Sequence, residues 1–203
     1  MWNTGSRQQR IKKIRIRMKT VLGSKQSGQA EWAAGLLLTL FLAILLCCEL
    51  QIQGYRASAL YLEDALAASG LASAIIDPEE YGISHTLRIK DPSVAFALYK
   101  NALKENLGLD ENMECVNKSL ISGRVMVERY IIYNVKGSKV GIYEVGEEGH
   151  LWDGTGNLGE VRAPNGILIE ATGVYSEISF PVEGLFGVTT EAHKGKLVDI
   201  VEN

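Results

Sequence analysis

Residues 29–76 read QAEWAAGLLLTLFLAILLCCELQIQGYRASALYLEDALAASGLASAII, and this stretch decides the fold. It is almost wholly apolar from Trp32 to Cys48. It then runs on without proline, rich in alanine, until Asp77-Pro78. One long helix is expected over 29–76, with its first third in a membrane and the rest outside it. Asp77 precedes a proline and is pushed out of the helical region, which sets the end.

The apolar run, about 17 residues long, spans roughly 25 Å as a helix. A hydrocarbon core of about 30 Å asks for around 20 residues, so the run is short but sufficient. Trp32 suits one interface and Glu49 the other. A buried core helix and a cleaved secretory signal are the competing explanations. Against the signal, the basic leader is long and no small-x-small site directly follows the run. Ala57-Ser58-Ala59 has that pattern but lies well past Glu49.

Charge sets the expected orientation. Residues 1–31 carry eight Lys or Arg (Arg7, Arg10, Lys12, Lys13, Arg15, Arg17, Lys19, Lys25) against Glu31 alone. The other 13 basic and 23 acidic residues lie from Glu49 onward, within a net charge of −3. Basic residues beside a span stay in the cytoplasm, so the N-terminus is expected inside and the acidic remainder outside. An acidic outer part argues against nucleic acid as a partner. The expected division is a basic leader at 1–28, a membrane helix at 29–50, its outer continuation at 51–77, and an α+β domain at 78–203. About 150 residues outside the membrane are enough for one domain with a real core.

Of the three cysteines, Cys47 and Cys48 lie inside the apolar run and read as small packing residues. Cys115 stands alone outside, which leaves no internal disulfide framework. In the leader, Ile11, Ile14, Met18 and Val21 fall at helical spacing among basic residues. They fit either a short helix on the inner lipid surface or a solvated tail. The small polar run Gly23–Gly28 is expected to separate leader from helix.

Beyond Glu49 the helix becomes amphipathic. Ile52, Tyr55, Ala59, Leu62 and Leu66 form one stripe, and Leu60, Ala67, Leu71 and Ala74 form a second beside it. The first stripe is expected to pack on a sheet through Tyr55, Ala59, Leu62 and Leu66. A second helix starts at Asp91-Pro92, an N-cap followed by proline at the first helical position. Phe96, Tyr99, Leu103 and Leu107 make its apolar face, and Gly108 stops it. Thr86–Lys90 alternates like a short strand.

From Ser119 the period becomes two. Val125, Val127, Ile131, Tyr133 and Val135 are expected on one face, with Arg129 as the exception. Gly137-Ser138 turns this strand into Val140–Val145 as a hairpin. Gly146–Gly166, rich in Gly, Asp and Asn, reads as a long loop. Ile167–Phe180 resumes strand character, with Val174, Ser176, Ile178 and Phe180 facing one way and Pro181 ending it. Val188–Ala192 and Leu197–Val201 are expected as a last hairpin turned at His193–Lys196. An antiparallel sheet packed on the long helix is the economical α+β fold.

Chemical motifs are weak. Gly154-Thr155-Gly156-Asn157-Leu158-Gly159 matches the dinucleotide fingerprint, but no parallel strand leads in and no helix is expected after it. His150 with Asp153 has the residue types of a metal or acid–base pair; His85 and His193 are isolated. No nucleophile elbow, His-Glu-x-x-His or Cys-x-x-Cys occurs. Asn117-Lys118-Ser119 is an N-glycosylation triplet. The expectation is a protein without catalytic residues, bound metal or cofactor.

A basic leader, then Gly28-Gln29-Ala30-Glu31-Trp32, an apolar run, Glu49, Arg56 and the Ala-rich helix Ala65–Ala74 resembles a prepilin. It is most similar to the TadE-like minor pilins of tight-adherence (Flp-type) type IV pilus systems, over about 50 of the 203 residues. The resemblance implies a single-pass pseudopilin of a pilus or related secretion apparatus. Its partners would be the lipid bilayer, other pilin-like subunits, an assembly platform and a prepilin peptidase. Cleavage would fall between Gly28 and Gln29, and Glu31 would pair with a neighbour's N-terminal amine. A carboxylate near lipid is costly unless paired, and helices in lipid associate through small and polar residues. A cut after Gly28 leaves Glu31 third and Ala33 fifth, where pilins usually carry the acid fifth. Retention of the leader, with Glu31 as an interfacial charge favoured by the helix dipole, is the alternative. A membrane-anchored binding or adhesion domain unrelated to pili, and an anchored enzyme, remain the other readings.

Overall fold

The computed structural model describes residues 4–200 except 117–120, 122 and 184–187, with side chains from Gly28 onward. Helix α1 runs Thr4–Ser73 without a break, 70 residues long. The run Gly23–Gly28, expected as a separator, is helical. The chain divides into two compact units, Met1–Tyr55 and Arg56–Asn203. Among the described residues, the first consists of α1 alone. One stretch of it is apolar and long enough to cross a membrane, within Gly28–Ser73.

In the second unit α1 ends at Ser73, earlier than the expected Ile76. Ser73 caps its own last turn, donating from Oγ to Gly70 O at 2.7 Å. Ala74–Asp77 then leaves the helix, with Ile76 bridging Ile89 and Asp77 N donating to Arg88 O. That single bridge is all that stands of the strand expected over Thr86–Lys90. Pro78 does not end α1, which has stopped at Ser73, but begins a helix: α2 spans Pro78–Ser84, and Asp77 Oδ1 accepts from Glu79 N at 3.1 Å. Asp-Pro-Glu-Glu is an N-cap, a first-turn proline and two favourable acids, a start signal that sequence reasoning missed. Helix α3, Pro92–Leu107, has the expected Asp91 N-cap and a left-handed Gly108 C-cap, and Phe96, Tyr99, Leu103 and Leu107 are buried.

The sheet is antiparallel, in the order β3-β2-β1-β4-β5, with β1 Met126–Lys136, β2 Lys139–Gly146, β3 Gly149–Asn157, β4 Gly173–Glu183 and β5 Thr189–Asp199. The β1–β2 hairpin turns at Gly137-Ser138 as expected, pairing Lys136 with Lys139. Three other expectations are corrected. Gly146–Gly166 is not one long loop, because β3 pairs along β2 from Gly149 to Asn157. Pro181 does not end β4; it lies past Ser179, the last β4 residue paired to β1, where a missing N–H leaves that ladder intact. His193–Lys196 is not a turn, because β5 runs straight through it, Gly195 paired with Glu177.

A bulge at Glu128 reorganises the faces of β1. Val127 pairs with Ile178 and Arg129 with Glu177, so Glu128 is the extra residue. Val125, Val127, Tyr130 and Ile132 therefore belong to one core cluster, and Ile131, Tyr133 and Val135 to the other. The single face expected from Val125 to Val135 is split in two. The first face packs on α1 and α3, where the Tyr130 ring lies 4.9 Å from Tyr99 and 5.3 Å from Phe96. The second is covered by the segment after β3, through Val161, Ala163 and Ile169. Arg162 bridges Leu168 and Ile169 N donates to Val161 O, which satisfies that segment's backbone.

Candidate functional site

The apolar segment of α1 is the first functional element. Every side chain from Gln29 to Cys47 is exposed, Trp32 at 82%. An exposed apolar run of this length needs an apolar solvent or a partner. Glu31, Gly35, Thr39, Ala43 and Cys47 recur every fourth residue, one row of small or polar groups between rows of Leu, Phe and Ile. Thr39 Oγ1 donates to Gly35 O at 2.9 Å, so its hydroxyl is satisfied within the helix. Glu31, Trp32, Gly35, Leu36 and Thr39 line a shallow groove of about 500 Å³. Gly28 is helical, and a Cβ there would meet no atom within 4 Å. Gln29 follows it on an exposed turn.

The second element is the buried face of α1 in the unit Arg56–Asn203. Leu62, Ala65, Leu66, Ser69, Gly70 and Ser73 are buried, at the three- and four-residue steps of one helix face. Leu62 and Leu66 are 3% and 0% exposed, as the stripe predicted. Tyr55, 39% exposed, and Ala59 are not buried. Among the described residues of α1 the first buried one is Leu62, beside Tyr61, whose hydroxyl donates to Asn106 O. Glu63 then receives Lys194 Nζ at 3.0 Å and Lys196 Nζ at 2.6 Å from β5. Hydrogen bonds from Lys196 and Lys194 hold the Glu63 carboxyl down at about 2. Asn106 Nδ2 donates to Ser69 Oγ at 3.0 Å, and Ser69 Oγ to Ala65 O at 2.7 Å.

The open part of the second sheet face forms a cleft of about 490 Å³ lined by Glu128, Arg129, Tyr175, Glu177, His193 and Gly195, and closed by Pro164 and Asn165. Gly195 forms its floor, since a Cβ there would stand 2.3 Å from the Tyr175 hydroxyl. The bulge aims Glu128 at Ser179, whose Oγ donates to it at 2.6 Å. Tyr175 donates to Glu177 Oε2 at 3.3 Å, and burial pushes its phenol up to about 12.

No family model, curated protein or solved structure matches the chain.

The residues singled out for chemistry do not converge. His150 Nε2 lies 3.8 Å from Asp153 Oδ1, both well exposed on β3. Among the described residues no group of three His, Cys, Asp or Glu side chains is placed to hold a metal ion. Gly154 and Gly156 of the fingerprint lie within β3, under the Trp152 ring and Val161, so no phosphate cradle forms there. His85 caps α2 in a left-handed conformation and meets the Tyr81 ring edge-on. His193 lies in the cleft. Cys47 is exposed, Cys48 and Cys115 are half-buried, and all three are free. Asn117-Lys118-Ser119 lies outside the described residues.

Sequence reasoning missed the lysines of β5 because it placed them in a turn. Their i, i+2 spacing, Lys194 and Lys196, is the signal that puts both ammonium groups on one face of a strand.

Proposed function

We propose that the chain is a single-pass, pilin-like assembly component similar to the TadE-like minor pilins, acting by helix packing and not by catalysis. Its leader would lie in the cytoplasm and its α+β domain outside. The observation that carries this reading is the double use of α1. One uninterrupted helix supplies an apolar segment with no buried side chain and, further along, the seam on which the domain's core is built. An anchor attached only by a linker would not need its packing face continued into a domain. The row Glu31, Gly35, Thr39, Ala43 and Cys47 gives that segment a surface on which another helix can approach closely in lipid. Glu31 is the charge that would seek a neighbour's amine.

N-terminal sequencing and intact mass of the protein from membranes and from sheared surface material test the proposal. A chain beginning at Gln29, recovered in the sheared fraction, is the expected result. A full-length chain that never leaves the membrane as an assembly would overturn it.

A membrane-anchored binding domain unrelated to pili is the second reading, favoured by the polar cleft at Arg129, Glu177 and His193. Secretion in an unassembled form that still adheres to a surface would favour it.

A further inference from the structure

Among the described residues, the C-terminal domain buries one side of α1 and leaves the opposite side largely exposed, with Ala67 half-buried. Against the buried seam Leu62–Ser73, the far side carries Arg56, Leu60, Asp64, Ala67 and Leu71. Leu60 is 64% and Leu71 55% exposed, although the domain has its own complete core. Arg56 and Asp64 flank this apolar strip, about 80° apart around the helix at about 3.6 residues per turn. Neither joins an ion pair among the described residues, whereas Glu63, the other charge on α1 in this unit, holds two lysines.

We infer that the Arg56 edge of this face docks on the Asp64 edge of the same face in a second copy of the chain, parallel to it and slid along the axis by eight residues. Arg56 of one copy then stands level with Asp64 of the next. Eight residues correspond to an axial step of about 12 Å. The charges select this register. Arg56 and Asp64 lie on opposite edges of the strip, so in-register parallel copies would leave them about 12 Å apart along the axis, while the slid register brings them level and gains the attraction. It also lays Leu60 over Ala67 and Ala68 of the neighbour, a large side chain on small ones. A shared membrane orientation makes neighbours parallel and disfavours the antiparallel alternative. The contact is open: each copy offers Arg56 to one neighbour and Asp64 to the other, so it repeats and does not close into a dimer. This inference rests on the assembly reading above and adds the identity of the contact and its step.

The test uses the full chain in its membrane, with Cys47, Cys48 and Cys115 replaced by serine. Two differently tagged copies are co-expressed, one carrying Arg56→Cys and the other Asp64→Cys, and then oxidised. The mixed disulfide should form several-fold more than either same-site pair. An Arg56→Cys pair that cross-links as well as the mixed pair overturns the slid register, and so does absence of the mixed product. Charge reversal gives an independent measure. Arg56→Asp and Asp64→Arg should each reduce co-purification of the tagged copies several-fold, and the double variant should restore it. A double variant no better than the singles overturns the pairing. If the chain enters sheared surface assemblies while the mixed disulfide never forms, this contact falls and the assembly reading stands. If the chain is monomeric in every fraction, both fall.

Discussion

The Tyr130 hydroxyl donates to Ser73 Oγ at 2.8 Å, which ties the central strand to the last turn of α1. Both groups are fully buried, and burial raises the phenol's pKa well above its usual value. Ser73 passes the interaction on to Gly70 O, so the helix end is fixed by a chain of two hydrogen bonds. Tyr130→Phe keeps the ring against Phe96 and Tyr99 and removes only the donor. It should cost about 0.5–1.5 kcal/mol, read as a lower urea midpoint with an unchanged slope.

The seam on α1 makes a contrast between neighbouring positions. Leu62→Ala should destabilise the C-terminal domain by roughly 2–5 kcal/mol, because a buried leucine leaves a cavity. Ala59→Ser, one turn earlier on the same helix face but exposed, should stay within about 0.5 kcal/mol of the parent. Thermal melting of the two variants side by side checks this. Equal losses would mean that the domain reaches further along α1 than Leu62.

Glu63 makes stability depend on acid. Its carboxyl is held near 2 by Lys196 and Lys194, below its ordinary 4.5. A group with a lowered folded pKa stabilises fully above its unfolded pKa and loses that contribution as pH falls through the folded one. The parent should therefore lose stability between pH 4.5 and about 2 in part through this residue. Glu63→Gln should be less stable at neutral pH and show a shallower acid slope. Added salt should narrow the difference, since the cluster is partly open to solvent. Melting curves of parent and variant across this pH range, at low and high salt, provide the check.

The proposed processing point, Gly28, lies inside α1. Gly28 has open space around it, so a larger side chain fits the folded chain without a clash. Gly28→Val should therefore fold normally yet leave a precursor heavier by residues 1–28 in a host with the peptidase. Glu31→Gln should leave cleavage intact and weaken assembly, because a carboxylate in a low-dielectric setting loses its charged partner. Intact mass and the sheared-fraction yield separate the two effects. A Glu31→Gln chain that assembles as well as the parent would remove the charge pairing.

The sequence by itself determined the elements whose signals are local. The apolar run of α1, the Asp91 cap and Gly108 stop of α3, and the Gly137-Ser138 hairpin each follow from residues within a turn or two of one another. Tertiary structure alone decided the rest. Strand β3 is rich in glycine and has little strand preference of its own; pairing along β2 makes it a strand. Lys194-Gly195-Lys196 looks like a turn until Glu63, 131 and 133 residues away, takes both ammonium groups and Glu177 pairs with Gly195. The bulge at Glu128 exists only relative to β4, yet it decides which side of the sheet each apolar residue of β1 enters. Where along α1 burial begins was equally hidden. Tyr55, Ala59, Leu62 and Leu66 share a periodicity, but burial requires something to pack against, and among the described residues of α1 it begins at Leu62. Periodicity is a property of the chain; burial is a property of what the fold brings beside it.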